Sequence, residues 1–134
     1  MSTEFINVDA WPKAVGYSNG RIGNGRPLHI AGQIGWTPHG VFESDDFVLQ
    51  FAQALDNVIA VLHAAHGRHE DIATMTIYVT DMEAYRARRR DIGPIWRARF
   101  QNHYPAMAVI GVSSLVEPQA LLEICCIAYL EHAE

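Results

Sequence analysis

The chain has 134 residues, of which 49% are hydrophobic and 19% charged, and its formal net charge is -5 at pH 7. This length suits one hydrophobic core and is short for two, so we expect a single domain spanning residues 1–134. The negative charge disfavours nucleic acid as a partner, because binding to phosphates depends on a positive field. The two cysteines, Cys125 and Cys126, are adjacent. Adjacent side chains in a strand point to opposite faces, which disfavours a disulfide framework.

The N-terminal segment has no basic stretch followed by an apolar region of the kind that marks a secretory signal. No uninterrupted apolar run reaches the roughly 18 residues expected of a membrane helix. Together with the unpaired cysteines, these features predict a cytoplasmic protein without a membrane partner.

Two β-like runs, at 15–22 and 28–34, open the predicted fold. The Gly-Asn-Gly-Arg-Pro segment at 23–27 favours a turn between them, because Asn and Gly tolerate positive φ, so we expect a hairpin. Apolar residues at helical spacing then predict a helix over 44–65. We expect Ser44 to cap its start and Gly67 to supply the left-handed residue that ends it.

The second half of the chain predicts a strand at 72–80, because β-branched residues dominate there and apolar and polar positions alternate. Thr80 and Glu83 match a capping box, which predicts a second helix reaching about residue 100. Pro94 lies inside that helix and predicts a kink or break. Two further strands are expected at 106–114 and 120–130.

The resulting order, ββαβαββ, predicts an α+β two-layer sandwich in which the helices cover one face of a sheet of about five strands. The uncovered face would expose apolar surface, which predicts self-association through the sheet. The residues assigned to this surface are Ala108, Ile110, Val112, Ile124 and Ile127.

Six short motifs follow one another along most of the chain. They are Tyr17-Ser18, Ala31-Gly32-Gln33-Ile34, Gln53-Ala54-Leu55-Asp56-Asn57, residues 76–82, Tyr104-Pro105-Ala106 and Leu121-Leu122-Glu123-Ile124. In this order they resemble the RidA (YjgF-like) family of enamine/imine deaminases. The resemblance implies a chorismate-mutase-like fold and a homotrimer with active sites in inter-subunit clefts. It also implies hydrolysis of reactive enamines or imines, such as 2-aminoacrylate, to ketoacids and ammonia, with no cofactor or metal.

The resemblance also assigns candidate site residues. Glu123 matches the acidic residue that positions the hydrolytic water, and Tyr17 matches the tyrosine that lines the same cleft. A carboxylate near an imine carbon can orient or deprotonate water. Further candidates for contact with the substrate are Gly32 through its backbone, Gln33, Trp36, Met107 and Val109.

The chain departs from the family pattern at Met107, where active members carry an arginine that holds the substrate carboxylate. Loss of such a contact costs on the order of 2 to 5 kcal/mol of binding, so we expect a substrate other than 2-aminoacrylate. An aminomuconate-like ring-cleavage product is one candidate. The alternative is a non-catalytic trimer that binds a small metabolite or acts as a chaperone. Arg21, Arg26 or Arg99 of a neighbouring subunit could replace the missing cation.

Three other groups of residues allow two interpretations each. The spacing of His63, His66 and His69 suits a zinc site, but histidines are also favoured at a helix C-terminus by its dipole. His103 lies beside a motif and either contacts the substrate or packs for structure. A cluster of arginines forms either a solvated face paired with acids or a docking surface for an anionic ligand. These arginines are Arg86, Arg88, Arg89, Arg90, Arg97 and Arg99.

Overall fold

The computed structural model describes residues 2–131 of the expected 1–134 domain, and residues 1 and 132–134 lie outside the described part. A short 3-10 turn, His69–Asp71, precedes the fourth strand. In chain order the elements are β1 (Thr3–Ile6), β2 (Gly20–Gly23), β3 (Arg26–Ile34), α1 (Phe47–Ala64), β4 (Ile72–Val79), α2 (Met82–Ala87), α3 (Arg89–Phe100), β5 (Ala106–Gly111) and β6 (Leu122–Leu130).

The main sheet has four strands in the order β3-β6-β4-β5, and β1 and β2 form a separate two-stranded sheet. β5 runs parallel to β4, whereas β6 is antiparallel to both β3 and β4. The predicted α+β class is therefore confirmed. The order ββαβαββ is also confirmed, with β1 as an additional strand before it and the second helix divided into α2 and α3. The expected single sheet of about five strands is wrong, because β1 and β2 form a separate sheet and the main sheet has four strands.

The predicted hairpin between 15–22 and 28–34 is also wrong. β2 is only four residues long and pairs with β1. The Asn-Gly signal does mark a turn, since Gly25 has a φ of 119° and a Cβ there would lie 2.3 Å from the Leu130 carbonyl oxygen. A Cβ on Gly23 would likewise meet the Tyr129 ring at 2.1 Å. The chain turns at these glycines to cross from the small sheet onto the main one.

Helix α1 begins at a different cap from the predicted one. The Asp46 carboxylate accepts from the Leu49 amide at 3.0 Å and is the N-cap, whereas the Ser44 hydroxyl accepts from the Asp46 amide at 2.9 Å. The Asp46 carboxylate satisfies an amide of the first helical turn that has no partner within the helix. Ser44, two residues earlier, supports this cap by accepting from the Asp46 amide. The apolar face of the helix packs on the sheet through residues with no exposed surface: Ala54, Leu55, Val58 and Leu62.

The C-terminus of α1 closes through His66 rather than through Gly67. His66 has a φ of 62°, and its amide donates to the His63 carbonyl at 3.0 Å. The Gly67 amide donates to the Leu62 carbonyl at 2.8 Å, which completes a Schellman motif. Gly67 has a different role from the predicted one, since it leaves room for the Leu130 side chain. A Cβ on Gly67 would lie 2.9 Å from Leu130 Cδ2.

By length and composition alone, α1 could cross a membrane, since its 18 residues have a mean hydropathy of 1.3. Its buried side chains pack against the main sheet, and the core helix of a globular domain meets the same criterion. This helix therefore carries no argument for membrane insertion.

The second predicted helix is divided at Arg88, six residues before Pro94. The Asp81 carboxylate caps α2 by accepting from the amides of Glu83 at 3.1 Å and Ala84 at 3.3 Å. The predicted Thr80 capping box is therefore wrong. α3 continues through Pro94, where the missing amide removes one hydrogen bond without ending the helix.

The two faces of the main sheet differ as the alternation in β4 predicts. Met75, Ile77 and Val79 face the helices and are buried. Ile124 lies opposite Ile77 and is fully buried, so its assignment to the uncovered face is wrong. Ala108, Ile110 and Ile127 do lie on the uncovered face, and Ile110 is 44% exposed. Val112 follows the last residue of β5, which ends at Gly111 rather than at residue 114.

Candidate functional site

A cleft of about 430 Å³ lies on the helical side of the sheet, between the 15–17 loop, the floor strand β5 and the wall formed by α2 and α3. Its volume falls in the range of roughly 300–1,000 Å³ that small-molecule sites occupy. Apolar and aromatic side chains make up most of its lining. They include Tyr17, Tyr85, Ile92, Trp96, Met107 and Val109.

The loop that carries Tyr17 is held by two backbone carbonyls of the Tyr104-Pro105 motif. The Ser18 amide donates to the Pro105 carbonyl at 2.9 Å, and the Ser18 hydroxyl donates to the Tyr104 carbonyl. Arg21 Nε donates to the same Tyr104 carbonyl at 3.1 Å. Because two sequence-distant motifs are joined here, Tyr17 projects beside the cleft and stays 45% exposed.

His103 supports the aromatic wall of the cleft and does not line the cleft itself. The Trp96 and Tyr104 rings stack with centroids 5.9 Å apart and an interplanar angle of 6°. Trp96 Nε1 donates to the His103 carbonyl at 3.1 Å, and His103 Nε2 donates to the Ile72 carbonyl at 2.8 Å. Burial lowers the pKa of His103, because it disfavours the charged form of the ring. Its role is therefore structural.

Three of the clustered arginines pair with acids. Arg86 binds Glu83 at 2.9 Å, and Arg99 binds Asp56 at 2.7 Å. Arg88 binds both Asp46 at 2.9 Å and Asp91 at 2.8 Å. The hydrogen bond from Arg88 and that from the Leu49 amide lower the pKa of Asp46.

Arg89 and Arg97 differ from these three because they line the cleft. Neither forms a hydrogen bond or an ion pair with any residue in the part of the chain that the structure describes. The cleft thus combines an apolar, aromatic body with two unneutralised positive charges at its helical wall. The sequence does not distinguish these two arginines from the others, because tertiary contacts decide which arginines of the cluster pair with an acidic residue.

Glu123 lies on the other face of the sheet, against Gly32. A β-bulge separates Ile30 from Gln33 in β3, and Ile34 pairs with Glu123. A Cβ on Gly32 would lie 2.0 Å from Glu123 Oε2, so only glycine leaves room for the carboxylate in this position. The half-buried Glu123 makes no hydrogen bond or ion pair within residues 2–131.

The register of β4 shows that these two groups of site residues point in opposite directions. Met107 pairs with Met75 across β4 and β5, and Glu123 pairs with Tyr78 across β4 and β6. Met75 and Tyr78 are an odd number of residues apart, so their side chains leave opposite faces of the sheet. One chain therefore brings Tyr17, Met107 and Val109 together, but it does not bring them to Glu123 and Gly32.

The glutamine–asparagine motif of α1 has a positioning role that its spacing alone did not reveal. Asn57 Nδ2 donates to the carbonyls of Ile34 at 2.9 Å and Trp36 at 2.8 Å. Gln53 Nε2 donates to Asn57 Oδ1 at 3.0 Å and fixes the amide orientation. This clamp holds the end of β3, next to Gly32.

The remaining candidates lie outside the cleft. Trp36 is half-buried with its ring 5.9 Å from that of Phe42, and Gln33 Nε2 donates to the Ala31 carbonyl at 3.1 Å. Arg21 and Arg99, considered as replacement cations, are held by the Tyr104 carbonyl and by Asp56. Within residues 2–131, no group of three or more His, Cys, Asp or Glu side chains is arranged to hold a metal ion.

Comparison with known proteins finds relatives in sequence and in structure over most of the chain. A RutC family protein of Pyrococcus horikoshii is 33% identical over 129 residues, covering 96% of this chain and 98% of the relative. YyfB of Yersinia pestis, a protein of the Rid family, is 31% identical with a TM-score of 0.87, covering 97% and 100% of the two chains. A member of the YjgF/YER057c/UK114 family from Mycobacterium tuberculosis is 29% identical with a TM-score of 0.64, covering 87% and 88%.

The family model described as Endoribonuclease L-PSP matches residues 8–130, which include every motif that carries the resemblance. Membership of this family supports a role connected with small molecules, and the family is known for oligomeric assemblies. The chain therefore belongs to the RidA/YjgF-like family that this model describes.

Proposed function

We propose that the protein hydrolyses a reactive enamine or imine to a carbonyl compound and ammonia. The observation that carries this proposal is the Glu123 carboxylate, which lies over Gly32 without a hydrogen-bond partner in the described chain. A half-buried carboxylate with free acceptor positions is suited to bind a water molecule and to accept its proton.

In the proposed reaction, Glu123 takes a proton from water as the water oxygen adds to the imine carbon. The electron pair of the carbon–nitrogen double bond moves to nitrogen, and Glu123 returns the proton to that nitrogen, giving a neutral carbinolamine. Glu123 then takes the proton of the new hydroxyl group and passes it to nitrogen. The oxygen electron pair forms the carbonyl double bond as the carbon–nitrogen bond breaks, and ammonia leaves. The same carboxylate therefore acts first as general base and then as general acid, and no cofactor is needed for the balance of atoms and electrons.

The proposed site is completed by a second copy of the chain, in a homotrimer. Tyr17, Met107 and Val109 line the cleft on the helical side, whereas Glu123 and Gly32 lie on the uncovered face. A substrate can contact both groups only if the uncovered face of one subunit approaches the cleft of another. The exposed Ile110 on that face is consistent with such an interface.

A second candidate is a non-catalytic trimer that binds a small metabolite. Met107 favours it, because a thioether at the floor of the cleft cannot form the two-pronged ion pair with a substrate carboxylate. In this case the cleft would keep its ligand-binding shape without turnover.

Ammonia release from freshly generated 2-aminoacrylate and from a panel of other imines separates the two candidates. We expect the wild type to hydrolyse at least one larger imine, and Glu123→Gln to lose at least about 100-fold in kcat. Met107→Arg should gain turnover of 2-aminoacrylate. A wild type that is inactive on the whole panel, with activity appearing only in Met107→Arg, would favour the binding protein and overturn the proposed deamination.

A further inference from the structure

The arginines on the wall of the cleft point to the class of ligand. Arg89 and Arg97 are eight residues apart on α3, so that with Gly93 midway between them they lie along one helical face. All three line the cleft, whereas Arg86, Arg88 and Arg99 pair with acidic side chains elsewhere.

Gly93 gives Arg97 its place over the cleft. A Cβ at residue 93 would lie 3.1 Å from Arg97 Nη1 and 3.8 Å from its Cζ, so the guanidinium rests on the bare backbone of the helix. Glycine inside a helix is destabilising relative to alanine, by roughly 1 kcal/mol. The helix therefore carries a less stabilising residue at a position where a methyl group would crowd the Arg97 guanidinium.

Between these arginines and the floor strand, the cleft is lined by flat and apolar groups. The half-buried Tyr85 and Tyr104 line it together with Met107 of the floor strand. Trp96 is only 5% exposed and supports the Tyr104 ring by stacking on it. Such walls favour a planar, unsaturated ligand body, because aromatic faces contact flat molecules over a large area. A guanidinium binds a carboxylate through two parallel hydrogen bonds.

We propose that the cleft binds a planar, unsaturated carboxylate, with Arg97 and Arg89 of α3 supplying the positive charge that is missing at Met107. The carboxylate is held at the helical wall rather than at the floor, which leaves the space beside Met107 to the apolar body of the ligand. This inference names the substrate class of the proposed deamination. The prediction that this ligand is turned over rests on the proposed deamination, whereas the prediction that it binds does not.

Isothermal titration of stable probes tests the inference directly. The probes are trans-cinnamate and benzoate, each compared with its uncharged amide, in wild type, Arg89→Gln, Arg97→Gln and the double variant. Arg90→Gln is the matched control, because it removes the same charge from an exposed position of α3 outside the cleft lining.

We expect at least one carboxylate to bind more tightly than its amide, by roughly 10-fold or more. The double variant should remove this difference, and Arg90→Gln should keep it. Gly93→Ala should weaken carboxylate binding while raising the melting temperature. The inference is overturned if neither carboxylate binds, if the amides bind equally well, or if Arg90→Gln loses as much affinity as Arg97→Gln.

The same set of proteins separates this inference from the proposed function. Glu123→Gln should keep the difference in affinity between carboxylate and amide that depends on Arg89 and Arg97, because this substitution leaves both arginines of the cleft in place. Arginine-dependent binding without ammonia release from any imine would contradict the proposed deamination but support the proposed ligand class. Ammonia release that is unchanged in the Arg89→Gln/Arg97→Gln variant would support the deamination but contradict the ligand class.

Discussion

Replacing Gly32 with alanine should disable the proposed site by displacing the Glu123 carboxylate, while Glu123 itself stays unchanged in sequence. The new Cβ would lie 2.0 Å from Glu123 Oε2, whereas ordinary contacts begin near 3.4 Å, so the carboxylate must retreat by about 1.4 Å. A misplacement of roughly 1 Å can lower a catalytic rate about 100-fold, which corresponds to about 2.7 kcal/mol of transition-state stabilisation. Stability should change by no more than about 1 kcal/mol, because the group that moves is the end of a flexible side chain.

Steady-state ammonia release and thermal unfolding of Gly32→Ala test this reasoning together. Gly20→Ala is the matched control, because its Cβ would meet only Ile6 Cβ at 3.7 Å. In a Glu123→Gln background, Gly32→Ala should cause no further loss, since the displaced group is already disabled. Wild-type kcat in Gly32→Ala, or a full additional loss in the double variant, would refute the proposed role of the carboxylate.

Three further predictions concern the groups that hold the site in shape. Asn57→Ala should lower the free energy of unfolding by about 2–4 kcal/mol in urea titrations, because two carbonyls at the end of β3 lose their donor; an unchanged midpoint would contradict the clamp. Burial lowers the pKa of His103, so the unfolded chain takes up a proton first as the pH falls. The contribution of His103 to the free energy of unfolding should therefore be fully present above about pH 6.5 and decrease below it. The His103→Gln variant should lack this part of the dependence of stability on pH. Asp46→Ala should cost about 1 kcal/mol at neutral pH through loss of the cap. Since the pKa of Asp46 is lowered on folding, that difference should shrink as the pH falls below about 4, as chemical denaturation at each pH would show.

Helices and strands that follow a local sequence pattern could be predicted, but the strands with which they pair could not. Alternation in β4 and helical spacing in α1 each reflect one buried face, and both elements formed where expected. The Asn24-Gly25 turn was also visible. Its hairpin partner was not, because the pairing of β2 with β1 depends on Thr3–Ile6, whose mostly exposed residues carry no strand alternation.

The candidate site divides in the same way. Tyr17, Met107 and Val109 line the same cleft, and Glu123 lies on the opposite face of the sheet. The selection of Arg89 and Arg97 from the arginine cluster could not be read from spacing, because Arg88 and Arg99 are neutralised by Asp46 and Asp56, more than forty residues away along the chain.

Mixing two inactive variants tests most directly whether deamination occurs at a site shared between subunits. Tyr17→Ala removes the cleft side of the proposed site, and Glu123→Gln removes the other side, on the opposite face of the sheet. If the two proteins are unfolded and refolded together in equal amounts, about a quarter of the inter-subunit sites in randomly assembled trimers should contain both native residues. Ammonia release should then rise to about a quarter of the wild-type rate. A mixture no more active than the separate variants would contradict a catalytic site built from two subunits.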